Sequence, residues 1–303
     1  MKPDPVAPRL IGVMGPTASG KTGLAEELAD HFHAQLVNAD SFQVYRGLDI
    51  GTAKPERKDR YKLLDIKNPT EGFAVGEFVK LAHEVCADCW ANGQSVVVVG
   101  GTGLNTRALF EEFTDMLGTP DPELRAELNA QLERSGLDFL VQELELLDQG
   151  AFQRVDRANP LRVIRAIERA KGSKSAIKFE LPPFRRTKFA LEITSYNLNE
   201  RIESRVREMV QNGWALEIER LREEGYRSDD PGFRAIGYRA MWDVVEDRKE
   251  LEQAIADTVV ETRQYAKRQR TWLRSEPNLI RLTADPGENP LRQAMHYLAV
   301  EMN

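Results

Sequence analysis

Residues 10–22 read L-I-G-V-M-G-P-T-A-S-G-K-T, an apolar run of strand type that feeds directly into a loop bounded by Gly15 and Gly20 and closed by Lys21-Thr22. The two glycines let the backbone turn tightly around Pro16, Thr17, Ala18 and Ser19 and aim the loop's N–H groups, which Pro16 lacks, inward. Lys21 adds a mobile cation and Thr22 a hydroxyl suited to a phosphate-bound divalent ion, so each part of the loop offsets negative charge. Residues 23–32 continue as a helix with Leu24, Ala25 and Leu28 on one side, and the positive end of its dipole faces the same anion. Strand, phosphate-cradling loop and helix in that order specify an α/β fold that holds a diphosphate or polyphosphate.

Working outward, residues 35–39 and 95–99 are further short apolar runs of the buried-strand kind, and 62–66 reads as a short additional strand. Helical patterns at 23–32 and 76–90 separate them, which gives a parallel sheet with helices on both faces and the phosphate loop at a strand's carboxyl end. From Pro120 the texture changes: Leu124, Leu128, Leu132, Leu137, Leu140, Leu144 and Leu147 recur at mostly helical spacing among many charges. The expected layout is a P-loop NTPase-like core in two parts, 1–119 and 184–303, interrupted by an all-helical subdomain at 120–183. In the second part, 187–195 and 278–282 read as strands, and 199–211, 215–224, 233–245, 249–274 and 291–300 as helices.

A chain of 303 residues with 41% hydrophobic content can bury a large core. No stretch is long and apolar enough to span a membrane, and residues 1–5 lead into no signal-like segment, so a cytoplasmic protein is expected. Cys86 and Cys89 form C-x-x-C inside a helical pattern with only His83 nearby, too few ligands for structural zinc, and read as ordinary helix residues. The net charge of −6 argues against general nucleic-acid binding, but the charge is uneven. Residues 154–174 carry Arg154, Arg157, Arg162, Arg165, Arg169, Lys171 and Lys174, while Arg263, Lys267, Arg268, Arg270 and Arg274 form a second cluster.

A phosphate loop alone fits many ATP-binding and other nucleotide-binding proteins. An ATPase normally has an acid at the end of an apolar strand to hold magnesium. Here Val96-Val97-Val98-Val99 runs into Gly100-Gly101-Thr102-Gly103, and the acid instead follows the 36–39 run, as Asp40. With D-S-F-Q-V-Y-R-G-L-D-I-G-T-A-K-P at 40–55, V-G-G-T-G-L at 99–104, A-I-G-Y-R at 235–239 and T-R-Q-Y-A-K-R-Q-R-T-W-L-R at 262–274, the sequence resembles the tRNA dimethylallyltransferases, also called tRNA isopentenyltransferases, over nearly its whole length.

That resemblance implies transfer of a dimethylallyl group from dimethylallyl diphosphate to N6 of adenosine 37 in tRNA, with magnesium as cofactor held through Thr22. It assigns the diphosphate to residues 15–22 and Arg234, catalysis to Asp40 as base with Lys21 and Thr102, and tRNA contacts to Ser41, Gln43, Asp49, Thr52, Lys54, Arg239, Arg263, Lys267 and Arg270. On the 262–274 helix, Arg263, Lys267, Arg270 and Arg274 make one basic stripe, and Tyr265, Gln269 and Trp272 fall elsewhere on its surface. The chain departs from the family's usual pattern at Asn105 and Asn199, where a tyrosine is common, and at Ala158-Asn159. It carries no C-terminal zinc-finger extension, as expected of the bacterial type, and no surface stripe demands a second copy, so a monomer is expected. Three other readings stay open: an isopentenyltransferase of free adenine nucleotides, which needs neither the helical subdomain nor the basic helix, a small-molecule kinase, and a non-catalytic RNA-binding protein with an inherited phosphate loop, against which the intact Lys21, Thr22, Asp40 and Thr102 set argues.

Overall fold

Buried strands covered on both faces need apolar residues at every position rather than alternation. Both β1 (Arg9–Met14) and the valine quartet β4 (Val96–Val99) are buried throughout, which places them at the centre of a sheet. The computed structural model describes residues 7–111, 121–171 and 180–300. Its strands β1, β2 (Gln35–Asn38), β3 (Tyr61–Lys62), β4, β5 (Arg185–Glu192) and β6 (Leu279–Thr283) form one parallel sheet in the order β3-β2-β4-β1-β5-β6. The chain moves outward from β1 to β3, returns to insert β4 beside β1, then crosses to the other side for β5 and β6. The carboxyl ends of β1, β4 and β2 are therefore neighbours at the point where strand order reverses, the place where open α/β sheets bind ligands.

Helix α1 (Lys21–Phe32) packs Leu24, Ala25, Leu28 and Ala29 against Ile11, Val13, Val97 and Phe189. On the sheet's flanks lie α2 (Val75–Ala91) and α3 (Gly103–Phe110). Cys86 and Cys89 are buried, unpaired residues of α2, and burial pushes the Cys86 thiol up to about 12, as fits a packing role.

Contacts divide the chain into one compact unit of Met1–Glu112 with Glu180–Asn303 and a second of Phe113–Phe179. The sequence puts these divisions at 119/120 and 183/184. The later one falls earlier because the lead-in to β5 belongs to the core unit: the His83 ring bonds the Glu180 carbonyl at 2.8 Å and Leu181 is buried. The expected boundary at 118–120, and Lys174, lie outside the described residues.

The helical unit contains α4 (Pro122–Leu147), α5 (Gln149–Arg154) and α6 (Pro160–Ala170). Leu128, Leu140, Leu144, Val163, Ile164 and Ile167 form its core, and Gly136, at φ 78°, kinks α4. Burial would raise the Glu168 carboxyl, but hydrogen bonds and charge from Arg125 and Arg165 outweigh it and hold the group low.

Beyond β5 run α7 (Ser195–Gln211), α8 (Trp214–Glu223), α9 (Tyr238–Val245), α10 (Leu251–Arg274) and α11 (Pro290–Val300). Two sequence expectations need correction. The 62–66 strand is only Tyr61–Lys62, because Leu63 and Asp65 adopt positive φ. The 233–245 helix is a short 3₁₀ turn, Pro231–Arg234, followed by α9. Gly237, at φ 85°, breaks it where any Cβ would lie 2.3 Å from the Trp214 indole.

Candidate active site

The loop after β1 has the conformation its glycines permit: φ is 156° at Gly15, 61° at Ala18 and 91° at Gly20, and α1 starts at Lys21. A Cβ at Gly15 would lie 2.6 Å from Ser19 Oγ, a buried hydroxyl that makes no hydrogen bond among the described residues. Lys21 reaches back to the Pro16 carbonyl at 3.4 Å. Burial lowers the Lys21 ammonium to about 8, helped by the charge of Arg205 and opposed by Asp40. A cation so desolvated gains most from an anion beside it.

The turn after β2 carries Asp40. Its N–H donates to Asn38 Oδ1 at 3.0 Å, and its own Oδ1 accepts the Phe42 N–H at 2.9 Å. The loop after β4 passes against it. A Cβ on Gly101 would be 3.7 Å from Asp40 Oδ2, 3.7 Å from Lys21 Nζ and 2.5 Å from Gln269 Nε2, so three functional groups converge on one glycine. Thr102 Oγ1 accepts from the Ser41 N–H at 3.3 Å and the Ser41 hydroxyl at 3.2 Å.

Helix α10 closes the site from above. Gln269 accepts the Thr17 N–H at 2.9 Å and donates to the Gly101 carbonyl at 2.8 Å, tying both phosphate-side loops to one side chain. One turn earlier, burial and the Asp40 charge push the Tyr265 hydroxyl up against hydrogen bonds from Thr102 and Gln269. Trp272 sits against Gly103 and carries Arg107 4.4 Å above its ring. The helix's far end is fixed by Glu276, which pairs with Lys188 at 2.7 Å and Arg107 at 2.6 Å.

Three cavities meet at Tyr265. A narrow one is lined by Thr17, Lys21, Thr22, Asp40, Gln43 and Arg205. A mainly apolar recess of about 280 Å³ lies between the 100–104 loop and Tyr265, Trp272 and Leu273. A third, of about 320 Å³, combines Asp40, Thr52, Arg205, Arg234 and Arg268 with Ile202, Met209 and Ile236. Thus Asp40, Lys21, Thr17, Thr22, Gln43, Thr52 and Arg234 come together, with Thr102 and Ser41 immediately behind them.

Of the other expected tRNA-contact residues, Lys54 and Asp49 pair with each other, Arg239 lies apart from these cavities, and Arg263, Lys267 and Arg270 line a separate groove. Lys54 is corrected: its side chain is 1% exposed and its ammonium is enclosed by Asp49 at 2.8 Å, Asp65 and the Tyr45 carbonyl, which leaves nothing for an RNA phosphate. Burial would raise the Asp49 carboxyl, but hydrogen bonds from Lys54 and Lys58 hold it low, so this pair braces the loop. Thr52 donates to the Leu48 carbonyl at 2.5 Å while still lining the cavity, and Arg239 is exposed on α9 and lines none of the three cavities. Arg263, Lys267 and Arg270 lie along the groove beside Ser195, Leu198 and Asn199 on α7, where Arg263 pairs with Glu203 at 3.1 Å.

Sequence reasoning missed Arg205, Gln269 and Glu217. Arg205 lines two of the cavities with Asp40, and burial lowers its guanidinium. Glu217 is a buried carboxylate that accepts the N–H groups of Asp49 at 2.8 Å and Ile50 at 2.7 Å, and the Tyr238 hydroxyl at 2.7 Å. It pins the 49–51 turn, whose Gly51 abuts Trp214. No short motif marks Arg205 or Glu217, whereas Gln269 lies inside the 262–274 run without a role assigned to it. The one available signal was an acid or amide at a position where a helix pattern calls for an apolar residue.

A protein-family model described as IPP transferase matches residues 43–276. The chain belongs to this family. It is 37% identical over 285 residues to a tRNA dimethylallyltransferase of Magnetococcus marinus, covering 88% of this chain and 92% of that protein. It is 38% identical to tRNA dimethylallyltransferase 2 of Geotalea daltonii, covering 88% of this chain and 85% of that one. The crystal structure of the full-length tRNA isopentenylpyrophosphate transferase of Bacillus halodurans superposes with a TM-score of 0.71 at 33% identity, covering 96% of each chain. The family places the parallel sheet, phosphate loop and helical insertion in one architecture.

Proposed function

We propose that this protein transfers the dimethylallyl group of dimethylallyl diphosphate to N6 of adenosine 37 in tRNA. The observation that carries this reading is the convergence of Lys21, Asp40 and Gln269 on Gly101, which puts an anion-holding cation and a proton-accepting carboxylate on the same few ångströms of backbone. Diphosphate is held by N–H groups of the 15–22 loop other than Pro16, which has none, and Thr17, whose N–H is held by Gln269, and by Lys21, Arg205 and Arg234, and one of its oxygens satisfies the buried Ser19 hydroxyl. The five-carbon tail enters the apolar recess beside Trp272 and Leu273.

The amine nitrogen attacks the allylic carbon, the carbon–oxygen bond breaks, and diphosphate leaves with the electron pair. An exocyclic amine is a weak nucleophile, so its proton passes to Asp40 as the new bond forms. Charge appearing on the leaving oxygen is stabilised by donors already in place, without reorganisation. The adenine is flipped from its stack to reach Asp40. Gln43 donates to the carbonyls of Thr52 and Ala53, 3.0 Å each, and offers its remaining oxygen to the base.

Among the described residues no group of three metal-ligating side chains occurs. A diphosphate-bound magnesium needs only one or two protein oxygens, and the Thr22 hydroxyl lines the same small cavity as Lys21, so the residues fit the ion. It supplies charge neutralisation when bound. No helix among the described residues is long and apolar enough to cross a membrane.

Labelled dimethylallyl diphosphate offered with unmodified tRNA or with AMP tests the reading. Label in tRNA alone is expected, and label in AMP alone overturns it.

A further inference from the structure

We propose that Asn105 is a positioning residue for the turn that presents Asp40, an inference that rests on the transferase reading above. The Asn105 side chain is 3% exposed and its amide donates twice, to the Ala39 carbonyl at 3.0 Å and to Ser41 Oγ at 3.3 Å. These acceptors flank Asp40 in the chain. From the opposite side Asn38 accepts the Asp40 N–H and donates to the Asp40 carbonyl at 3.2 Å and the Leu63 carbonyl at 3.0 Å. The three residues 39–41 are thereby gripped between two buried amides, one on β2 and one in the first turn of α3.

Chemistry explains why the residue is an asparagine. A carboxamide carries two N–H donors, whereas a phenol carries one. A tyrosine here could reach only one of these oxygens by hydrogen bond and would leave the other without this donor. Close packing adds to the grip: a Cβ on Gly100 would lie 2.6 Å from the Ala39 carbonyl carbon, so the β2 and β4 loops have no slack between them. With Oδ1 of Asp40 occupied by the Phe42 N–H, the aim of Oδ2 toward Gly101 and Lys21 depends on the backbone of the turn, which Asn105 sets. The 15–22 loop makes no hydrogen bond to Asn105, so diphosphate grip is independent of it.

Asn105→Leu keeps the size and removes both donors. In steady-state transfer to tRNA, kcat is expected to fall about tenfold, the scale of one or two lost buried hydrogen bonds, with KM for dimethylallyl diphosphate within about twofold. Amide hydrogen exchange read by mass spectrometry is expected to accelerate in peptides covering 36–44 and to stay unchanged in those covering 15–22. Unchanged kcat with unchanged exchange overturns the proposal, as does a loss confined to KM. If the wild-type protein transfers nothing to tRNA, the transferase reading fails by itself, and exchange in 36–44 still decides whether Asn105 holds the turn. Should Asn105→Leu not fold, Ser41→Ala removes one of the two acceptors and is judged by the same two measurements.

Discussion

The two halves of the active site are built on different principles. The phosphate half, residues 15–22 and 100–103, is shaped chiefly by its own backbone, with positive φ at Gly15, Ala18 and Gly20 and glycines that admit close neighbours, and Gln269 on α10 ties its two loops together. The nucleobase half, residues 40–54, is shaped by side chains from far along the chain, with Glu217 and Trp214 on α8, Tyr238 on α9 and Asn105 on α3. The first half keeps its geometry as long as its glycines and the Gln269 tie remain. The other half keeps its geometry only as long as its distant anchors do, so each half should fail separately.

The largest effect separates them most sharply. Asp40→Asn should cut single-turnover transfer about 10³-fold, within the usual reach of general-base catalysis, while diphosphate affinity by calorimetry stays within about twofold. Undiminished turnover would remove Asp40 as the base. Lys21→Met acts on the opposite half and should weaken diphosphate binding and turnover together by about 10²-fold.

The same lysine sharpens the comparison through pH. Its ammonium is held at about 8 against an ordinary 10.5, so the free folded protein loses this proton before the unfolded chain does. The lysine's penalty on folding is full below pH 8 and is relieved as pH rises from about 8 to 10.5. Diphosphate affinity runs the other way, full below about 8 and falling by up to about tenfold per pH unit above it, because binding must then take up a proton. Calorimetry in buffers of different ionisation enthalpy measures that uptake, which Lys21→Met should abolish.

A smaller effect is expected at the anchor. Glu217→Gln should cost about 2 kcal/mol in thermal unfolding, since a charged acceptor of several hydrogen bonds is lost from the interior. Its KM for tRNA should rise about fivefold while the diphosphate constant stays put. Smallest of all, Lys267→Ala should weaken tRNA binding a few-fold and reduce the slope of log affinity against log salt by about 1. An unchanged slope would take Lys267 off the RNA path.

The parallel sheet, the phosphate loop and the existence of the helical unit were legible because each rests on local pattern: apolar runs, glycine spacing, leucine periodicity, whereas the strand order depends on long-range pairing. The same locality made Asp40 and Thr102 visible, each following an apolar strand. Lys54 was misread because an isolated lysine in a polar loop looks solvated, and only the fold brings Asp49, Asp65 and the Tyr45 carbonyl around it. Gln269 and Glu217 stayed hidden for the complementary reason: their acceptors and donors are backbone groups some 170 to 250 residues away. The break at Gly237 follows from a steric demand of Trp214 that no helix pattern can express.

The place of β1 in the sheet has a consequence for how the molecule is made. Its ladder with β4 can close early, but the partner for its other edge is β5, beyond the whole helical unit. A nascent chain emerging from the ribosome therefore carries a half-paired, apolar central strand until residue 190 or so is available. Through that interval the growing polypeptide is at its most prone to wrong association, and its yield on synthesis should be sensitive to chaperones and to temperature in a way that the finished fold is not.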